Sequence, residues 1–389
     1  MIYLSYIQYI YMNNDNLSLP QRQYITTKIL SEGAYGCAVY PGVKCDNTPE
    51  SSNYLTKIQI DGPVLQNESR IGESIIQKYG NRHILFYAPI LKTCNVEASE
   101  IQNDEIKKCK IMESTTGATT PTPQTFVNSK IRYIGKTTLN NYFKQQKQNP
   151  STKSIITKMM DIYLYLSKSI QMLLEMDIVH FDLKDNNIMY DQRYYVPIII
   201  DFGLTCKMPL TFDKSSQFFQ IYDKYLIWPI EVFIISQIYK KPSSEILTKE
   251  TTDQLINTCM TNIDHPEGIY QKITFFDATE IETYKTGIRT FLESYTGYSY
   301  NNLYDKLMEM YKTWDMYSLC ATFLLLIHMY FKDQATTPST PSTPNLLKPY
   351  MDIFKIPIFA IPPDRESIQE IEFKIRKINI KKNHLDPNI

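Results

Sequence analysis

The residues with the clearest capacity for chemistry are His180-Phe181-Asp182-Leu183-Lys184-Asp185-Asn186-Asn187, followed fourteen positions after Asn187 by Asp201-Phe202-Gly203. Phosphoryl transfer needs a carboxylate to orient the attacking hydroxyl, metal ions to neutralise the phosphates, and a cation near the transferred group. Asp182 suits the first task, Asn187 and Asp201 the second, and Lys184 the third. The types and spacing therefore suggest a magnesium and phosphate site. The plain alternative is a polar loop between a helix and a hairpin, which leaves the combination of two carboxylates, an amide and a lysine as coincidence.

Such residues need elements to hold them. Before the loop, Ile155, Met159, Ile162, Leu166, Ile170, Leu173 and Leu174 recur at helical spacing and predict a buried helix from Ser154 to Met176. After it, Ile188 to Tyr190 and Val196 to Ile200 read as two short strands. Near the start of the chain, Tyr24 to Leu30 and Cys37 to Tyr40 read as strands joined by the turn Ser31-Glu32-Gly33-Ala34-Tyr35-Gly36. Tyr54 to Ile60 alternates as a third strand carrying Lys57, and Val64 to Tyr79 predicts a helix with Ile71, Ile75 and Ile76 on one face. Glu113 to Gln124 is a Thr, Pro and Gly loop, and Ser129 to Ile134 leads into a helix around Leu139 to Gln145. Beyond Leu204 the chain reads as largely helical, interrupted by the Thr-Pro and Ser-Pro loop from Ala335 to Asn345.

At 389 residues the chain has room for two lobes with their own cores. Its 41 Lys plus Arg balance 41 Asp plus Glu, which argues against a strongly basic nucleic-acid binder. Seven cysteines, scattered and without a C-x-x-C pair, fit a reducing intracellular compartment better than a disulfide framework or a zinc site. Met1 to Met12 is apolar and aromatic, but it lacks a basic flank and is too short to span a bilayer; Met12 reads as an alternative start. No other run is expected to approach a membrane span, Phe323 to Met329 being short and part of a longer helical pattern.

His180 to Asn187 resembles the catalytic loop H-R-D-L-K-x-x-N of the eukaryotic-type protein kinases, and Asp201-Phe202-Gly203 resembles their D-F-G metal motif. The resemblance implies an α+β, bilobal kinase fold with a small β-rich N-lobe and a larger, mainly helical C-lobe. It places a disordered extension at 1–23, the N-lobe at 24–134, and the C-lobe at 135–389 with an insertion about 232–313 and a flexible loop at 335–345. It also implies ATP and Mg2+ as cofactors, with Asp182 and Lys184 catalytic and Asn187 and Asp201 on the metal. Leu30, Ser31, Glu32, Gly33, Ala34, Tyr35, Gly36, Cys37 and Ala38 resemble the glycine-rich loop over the phosphates, with Ser31 replacing the first glycine and Ala38 the valine. Lys57 resembles the third-strand lysine on the α and β phosphates, paired with a helix glutamate for which Glu68 fits better than Glu73. Arg132 and Ile134 resemble the hinge positions whose backbone groups hold adenine.

Trp228-Pro229-Ile230-Glu231 is similar to the A-P-E element, and Trp314-Asp315-Met316-Tyr317-Ser318-Leu319 to the D-x-W-S-x-G start of a buried helix. Arg365 is similar to the late arginine that pairs with that glutamate. Lys184, two residues after Asp182, follows the serine/threonine pattern. Phe181 stands where regulated kinases carry the arginine that grips an activation-loop phosphate, so no such phosphate should be needed. Loop lengths and composition resemble the serine/threonine kinases of giant DNA viruses, which implies a protein substrate, no nucleic acid or membrane partner, and a cytoplasmic setting, that of the host cell if viral. Two other readings share the motifs: a pseudokinase that binds nucleotide or scaffolds, and a small-molecule kinase of related fold.

Overall fold

In the computed structural model, residues 27–33, 36–44, 51–97, 101, 104–113, 125–146, 152–212, 219, 227–331 and 343–385 are described. The extension at 1–23, Ala34 and Tyr35 of the glycine turn, and most of the two Thr/Pro loops lie outside them. The chain starts with Lys28–Gly33 (β1), Gly36–Tyr40 (β2), Tyr54–Ile60 (β3), the helix Pro63–Tyr79 (α1), Tyr87–Ala88 (β4) and Ile90–Glu97 (β5). Two short helices, Asp104–Lys107 (α2) and Lys110–Glu113 (α3), precede Thr125–Arg132 (β6). An antiparallel sheet joins five of the strands in the order β1-β2-β3-β6-β5.

Register assigns the faces of this sheet, because directly paired residues point the same way. Ala38 stands opposite Lys57, and Lys57 opposite Ser129; Cys37 stands opposite Ile58, and Ile58 opposite Asn128. On the Lys57 face lies α1, whose Leu65 packs with Ile90, Val127 and Ile131. On the Ile58 face, Ile106, Cys109, Ile111 and Met112 of the α2–α3 segment bury Cys37, Val39, Ile58 and Phe126. With both faces covered, β3 and β6 keep few exposed positions.

Cys37 and Cys109, 72 positions apart, form a disulfide, and Cys94 is disulfide-bonded too. This corrects the expectation of reduced thiols throughout, which holds for the buried free cysteines Cys206, Cys259 and Cys320. Spacing carries no trace of a pair that is closed only when α3 packs across β2.

The remainder is mainly helical. Leu139–Gln146 (α4) and Thr152–Leu174 (α5) lead into Ile178–Val179 (β7), Ile188–Asp191 (β8), Val196–Ile200 (β9) and Cys206–Lys207 (β10). Small sheets β4-β9-β8 and β10-β7 carry the loops between them. Ile230–Ile238 (α6), Lys249–Ile263 (α7), Ile269–Lys272 (α8), Ala278–Glu293 (α9) and Tyr300–Met308 (α10) fill the insertion region. Trp314–Phe331 (α11), Thr343–Phe359 (α12) and Ile368–Leu385 (α13) complete the chain. The segment Tyr311–Phe331 is long and apolar enough to cross a membrane, with an 18-residue stretch of mean hydropathy 1.2, yet 83% of that stretch is buried inside the fold. That corrects the expectation that no run approaches a membrane span; α11 is apolar all round because other helices enclose it. One continuous core joins α5, α11, α12 and the insertion helices, with Ile256, Cys259, Ile288, Leu292, Leu303 and Leu307 supplied by the insertion. Helix α11 therefore serves as the post around which the larger lobe is built.

Candidate active site

Strand alternation delivers the first basic group. Lys57 shares its face of β3 with α1, where Leu65, Glu68, Ile71, Gly72, Ile75 and Tyr79 form the buried stripe. Pro63 at the first helical turn, after Gly62, pre-sets the start of α1 and so fixes where this stripe falls. A carboxylate on such a stripe requires a partner. Glu68, 2% exposed, has one: Lys57 Nζ lies 3.1 Å from both of its carboxylate oxygens. Glu73, the alternative weighed from sequence, is exposed.

The same Lys57 nitrogen lies 3.1 Å from Asp201 Oδ1. Asp201 follows β9 directly and has φ 60, a left-handed conformation that a non-glycine residue holds only when its surroundings enforce it. Burial alone would lower the Lys57 pKa, but Glu68 and Asp201 more than reverse this and hold it above the usual lysine value. For Asp201, burial pushes upward and the Lys57 ammonium outweighs it, so the carboxyl stays below its ordinary value. Its side chain is 45% exposed.

The loop between β7 and β8 is fixed from behind. Asp315, in the first turn of α11, accepts hydrogen bonds from the backbone N–H of His180 at 2.7 Å and of Phe181 at 2.9 Å. Phe181 sits at φ 68. The His180 ring bridges the loop to β9: Nε2 is 3.0 Å from the Ile200 carbonyl, and Nδ1 is 3.3 Å from the Asp182 N–H. That pattern places the ring proton on Nε2.

Lys184 Nζ then lies 2.9 and 3.1 Å from the two Asp182 oxygens. The Asn187 amide donates to the Asp182 carbonyl at 2.9 Å and to its Oδ2 at 2.8 Å. Burial raises the Asp182 pKa and the nearby Asp201 charge adds to it, while Lys184 opposes both. Since the Asn187 N–H groups are engaged by Asp182, its Oδ1 is the atom suited to a cation. That carbonyl and the Asp201 carboxylate are hard oxygen donors of the kind Mg2+ takes, which makes the donor set a fit for this metal.

Not every expected residue brings its side chain to the cleft. Ser31 and Ala38 pair across the hairpin on the Lys57 face, whereas Glu32 and Cys37 pair on the other, where Lys110 Nζ reaches Glu32 at 3.6 Å. Leu30 is 38% exposed. Gly33 ends β1; Gly36, at φ 156, approaches β3 so closely that a Cβ there would lie 2.1 Å from the Ile58 carbonyl. Arg132 ends β6, and its guanidinium turns away to pair with the fully buried Asp191 at 2.9 Å. Ile134 is buried.

Sequence reasoning missed three supports. Asn67 of α1 donates to the Thr205 carbonyl at 2.6 Å, tying the helix to the segment after Asp201. Trp228 Nε1 donates to the Phe181 carbonyl at 2.6 Å, and its ring packs on that of Phe181 at 4.7 Å. Gln59 of β3 contacts Glu68. The available signal for the last was a polar residue two positions after Lys57, hence on the same strand face.

The sheet-plus-helix architecture and these two clusters resemble those of the eukaryotic-type protein kinases. A family model described as protein tyrosine and serine/threonine kinase matches residues 92–221. The chain is also similar to serine/threonine-protein kinase 1 of African swine fever virus, 25% identical over 244 residues that cover 57% of this chain and 73% of that one. Among solved structures, the BubR1 kinase domain aligns over 98% of this chain and 92% of its own at 11% identity and TM-score 0.43.

Proposed function

We propose that the chain is an active serine/threonine protein kinase that uses ATP and Mg2+, with 24–134 as its nucleotide lobe and 135–389 as its substrate lobe. The observation that carries this reading is Lys57 joined at once to Glu68 and Asp201 while Asp182 is held by Lys184 and Asn187. When bound, the magnesium nucleotide would supply the transferable phosphoryl group and much of the charge neutralisation. Lys57, kept charged by its two carboxylates, is suited to the α and β phosphates. Asn187 Oδ1 and Asp201 are suited to the metal. Ser31, Gly33, Gly36 and Ala38 lie along the hairpin on the side of Lys57 and are suited to cover the phosphates through backbone N–H groups, and the Arg132 and Ile134 backbones to hold the base.

Asp182 orients the substrate hydroxyl and accepts its proton. Lys184, beside it, can pair with the phosphoryl oxygens as charge moves. The position of Lys184 supports the serine/threonine preference, and Phe181 supports independence from an activation-loop phosphate. The complete set Lys57, Asp182, Asn187 and Asp201 weighs against a pseudokinase.

Transfer of labelled phosphate from ATP to a peptide array tests the reading. Wild type should phosphorylate Ser or Thr peptides. Asp182→Ala should lower turnover by about 10²- to 10⁴-fold with nucleotide binding kept, and Asp201→Ala should lose Mg2+-dependent nucleotide binding. Equal, background-level transfer by all three proteins would sink the enzyme assignment, and phosphotyrosine as the main product would overturn the serine/threonine preference.

A further inference from the structure

Behind the Lys57–Glu68 pair lies a short chain of buried polar side chains to which the reaction assigns no task. Gln59 Nε2 donates to Glu68 Oε2 at 3.2 Å, and the Ser129 hydroxyl donates to Gln59 Oε1 at 3.2 Å. Gln59 is 1% exposed, Ser129 0% and Glu68 2%. An apolar residue would fill this position of β3 more cheaply, since a buried amide gains stability only when both of its ends are bonded. Here both are. The Ser129 hydroxyl must give its proton to Oε1, which fixes the orientation of the amide and aims its N–H at the carboxylate.

Gly36 of the hairpin stands opposite Gln59 in the β2–β3 register, and a Cβ at Gly36 would lie 2.9 Å from Gln59 Cγ. The glycine therefore makes room for the glutamine beneath the hairpin. One side chain thus touches the three parts that must agree before a nucleotide is gripped: the hairpin, the inner strand β6, and α1.

We infer that Gln59 is the positioning residue for Glu68: it holds the carboxylate in the orientation in which both oxygens meet Lys57, and so keeps α1 docked with Lys57 aimed at the cleft. This rests on the kinase reading above. Lys57 alone allows the carboxylate to pivot about a single ammonium; the amide supplies a second fixed point, and Ser129 locks the amide.

Titration of a fluorescent ATP analogue with Mg2+, together with KM and kcat for ATP, tests this. Gln59→Met keeps an unbranched chain of similar length and removes both hydrogen bonds. Its nucleotide dissociation constant and KM should rise about tenfold, the loss expected for a bond to a charged group, with kcat changed much less. Gln59→Glu should be weaker than Gln59→Met, because it sets a second carboxylate against Glu68. Ser129→Ala should show a smaller loss in the same direction. Combined with Glu68→Gln, the Gln59→Met change should add little, since residues acting through one another are not additive.

Gln59→Met binding within twofold of wild type, or a full additive loss on Glu68→Gln, overturns the inference while leaving the kinase reading standing. Wild type that binds no magnesium nucleotide removes the kinase reading, and the inference with it. Melting temperatures of the nucleotide-free variants serve as the folding control; a binding loss that tracks melting alone, with kcat falling in parallel, also counts against a positioning role.

Discussion

At Asp182 two opposing influences act on the carboxyl. Burial raises the carboxyl pKa and Lys184 pulls it back down. In the proposed role as base the group must be ionised to take a proton, so activity should be lost as pH falls through its raised pKa, above the ordinary carboxylate value of about 4. Replacing Lys184 by Ala removes the opposing charge and should move the acid limb of kcat/KM to still higher pH; an unmoved or lowered limb would contradict this balance. At this scale the sequence was most informative where chemistry fixes both residue type and spacing, as with Lys57, Asp182, Asn187 and Asp201. It was silent where a side chain has two destinations. Arg132 was identified for its backbone, yet nothing along the chain reveals that its guanidinium pairs with Asp191, 59 positions away. Gln59 carries no signal of its own, because a single polar residue in a strand reads as solvated until α1 is seen to cover it.

Among the elements, the segment after β10 shows what replaces a phosphate clamp. The Phe181 ring packs on Trp228, on Phe219 at 5.6 Å and on Trp314 at 5.7 Å, an apolar cluster where a guanidinium would need an anion. Such a cluster owes its cohesion to burial and ring contacts, not to charge. Protein treated with a phosphatase should therefore retain its kcat, and Phe181→Ala, at 2% exposure, should destabilise by about 3–5 kcal/mol in chemical denaturation. Activity that appears only after phosphorylation between Cys206 and Trp228 would reject the phosphate-independent reading. Strand and helix positions were legible because periodicity is local: β3, β9 and α1 fall where alternation and helical spacing put them, within a residue. The covering of the sheet's second face was not legible. It depends on α2 and α3, two helices of 4 residues each, too short to leave a periodic signature, and on a cysteine pair that only this packing brings together.

At the scale of the whole molecule, one ion pair among the described residues is buried on both sides, and it lies in the larger lobe. Arg365 meets Glu231 through both arms of its guanidinium, with Nη2 at 2.9 Å from Oε2, and also donates to the Pro357 carbonyl at 3.1 Å. Removing one partner strands the other charge in a dry interior, so Glu231→Ala should cost about 3–5 kcal/mol. A fall in melting temperature no larger than that of an exposed control such as Glu293→Ala would contradict this. Sequence reading found the pair by its resemblance and left the fold of 232–313 open, because helices that bury one face against α11 look like any amphipathic helices until their neighbour is known.

That neighbour relation has a sequel in the tyrosines over the ion pair. The Arg365 guanidinium lies 5.2 Å from the Tyr317 ring, the Tyr317 hydroxyl meets that of Tyr270 at 3.4 Å, and Tyr270 stacks on Tyr284 at 5.3 Å. Tyr270 belongs to α8 and Tyr284 to α9, so the segment that looks like an appendage along the chain is the lid on the lobe's most strongly charged interior point. Trimming it should let water reach both charges and strip apolar cover from α11.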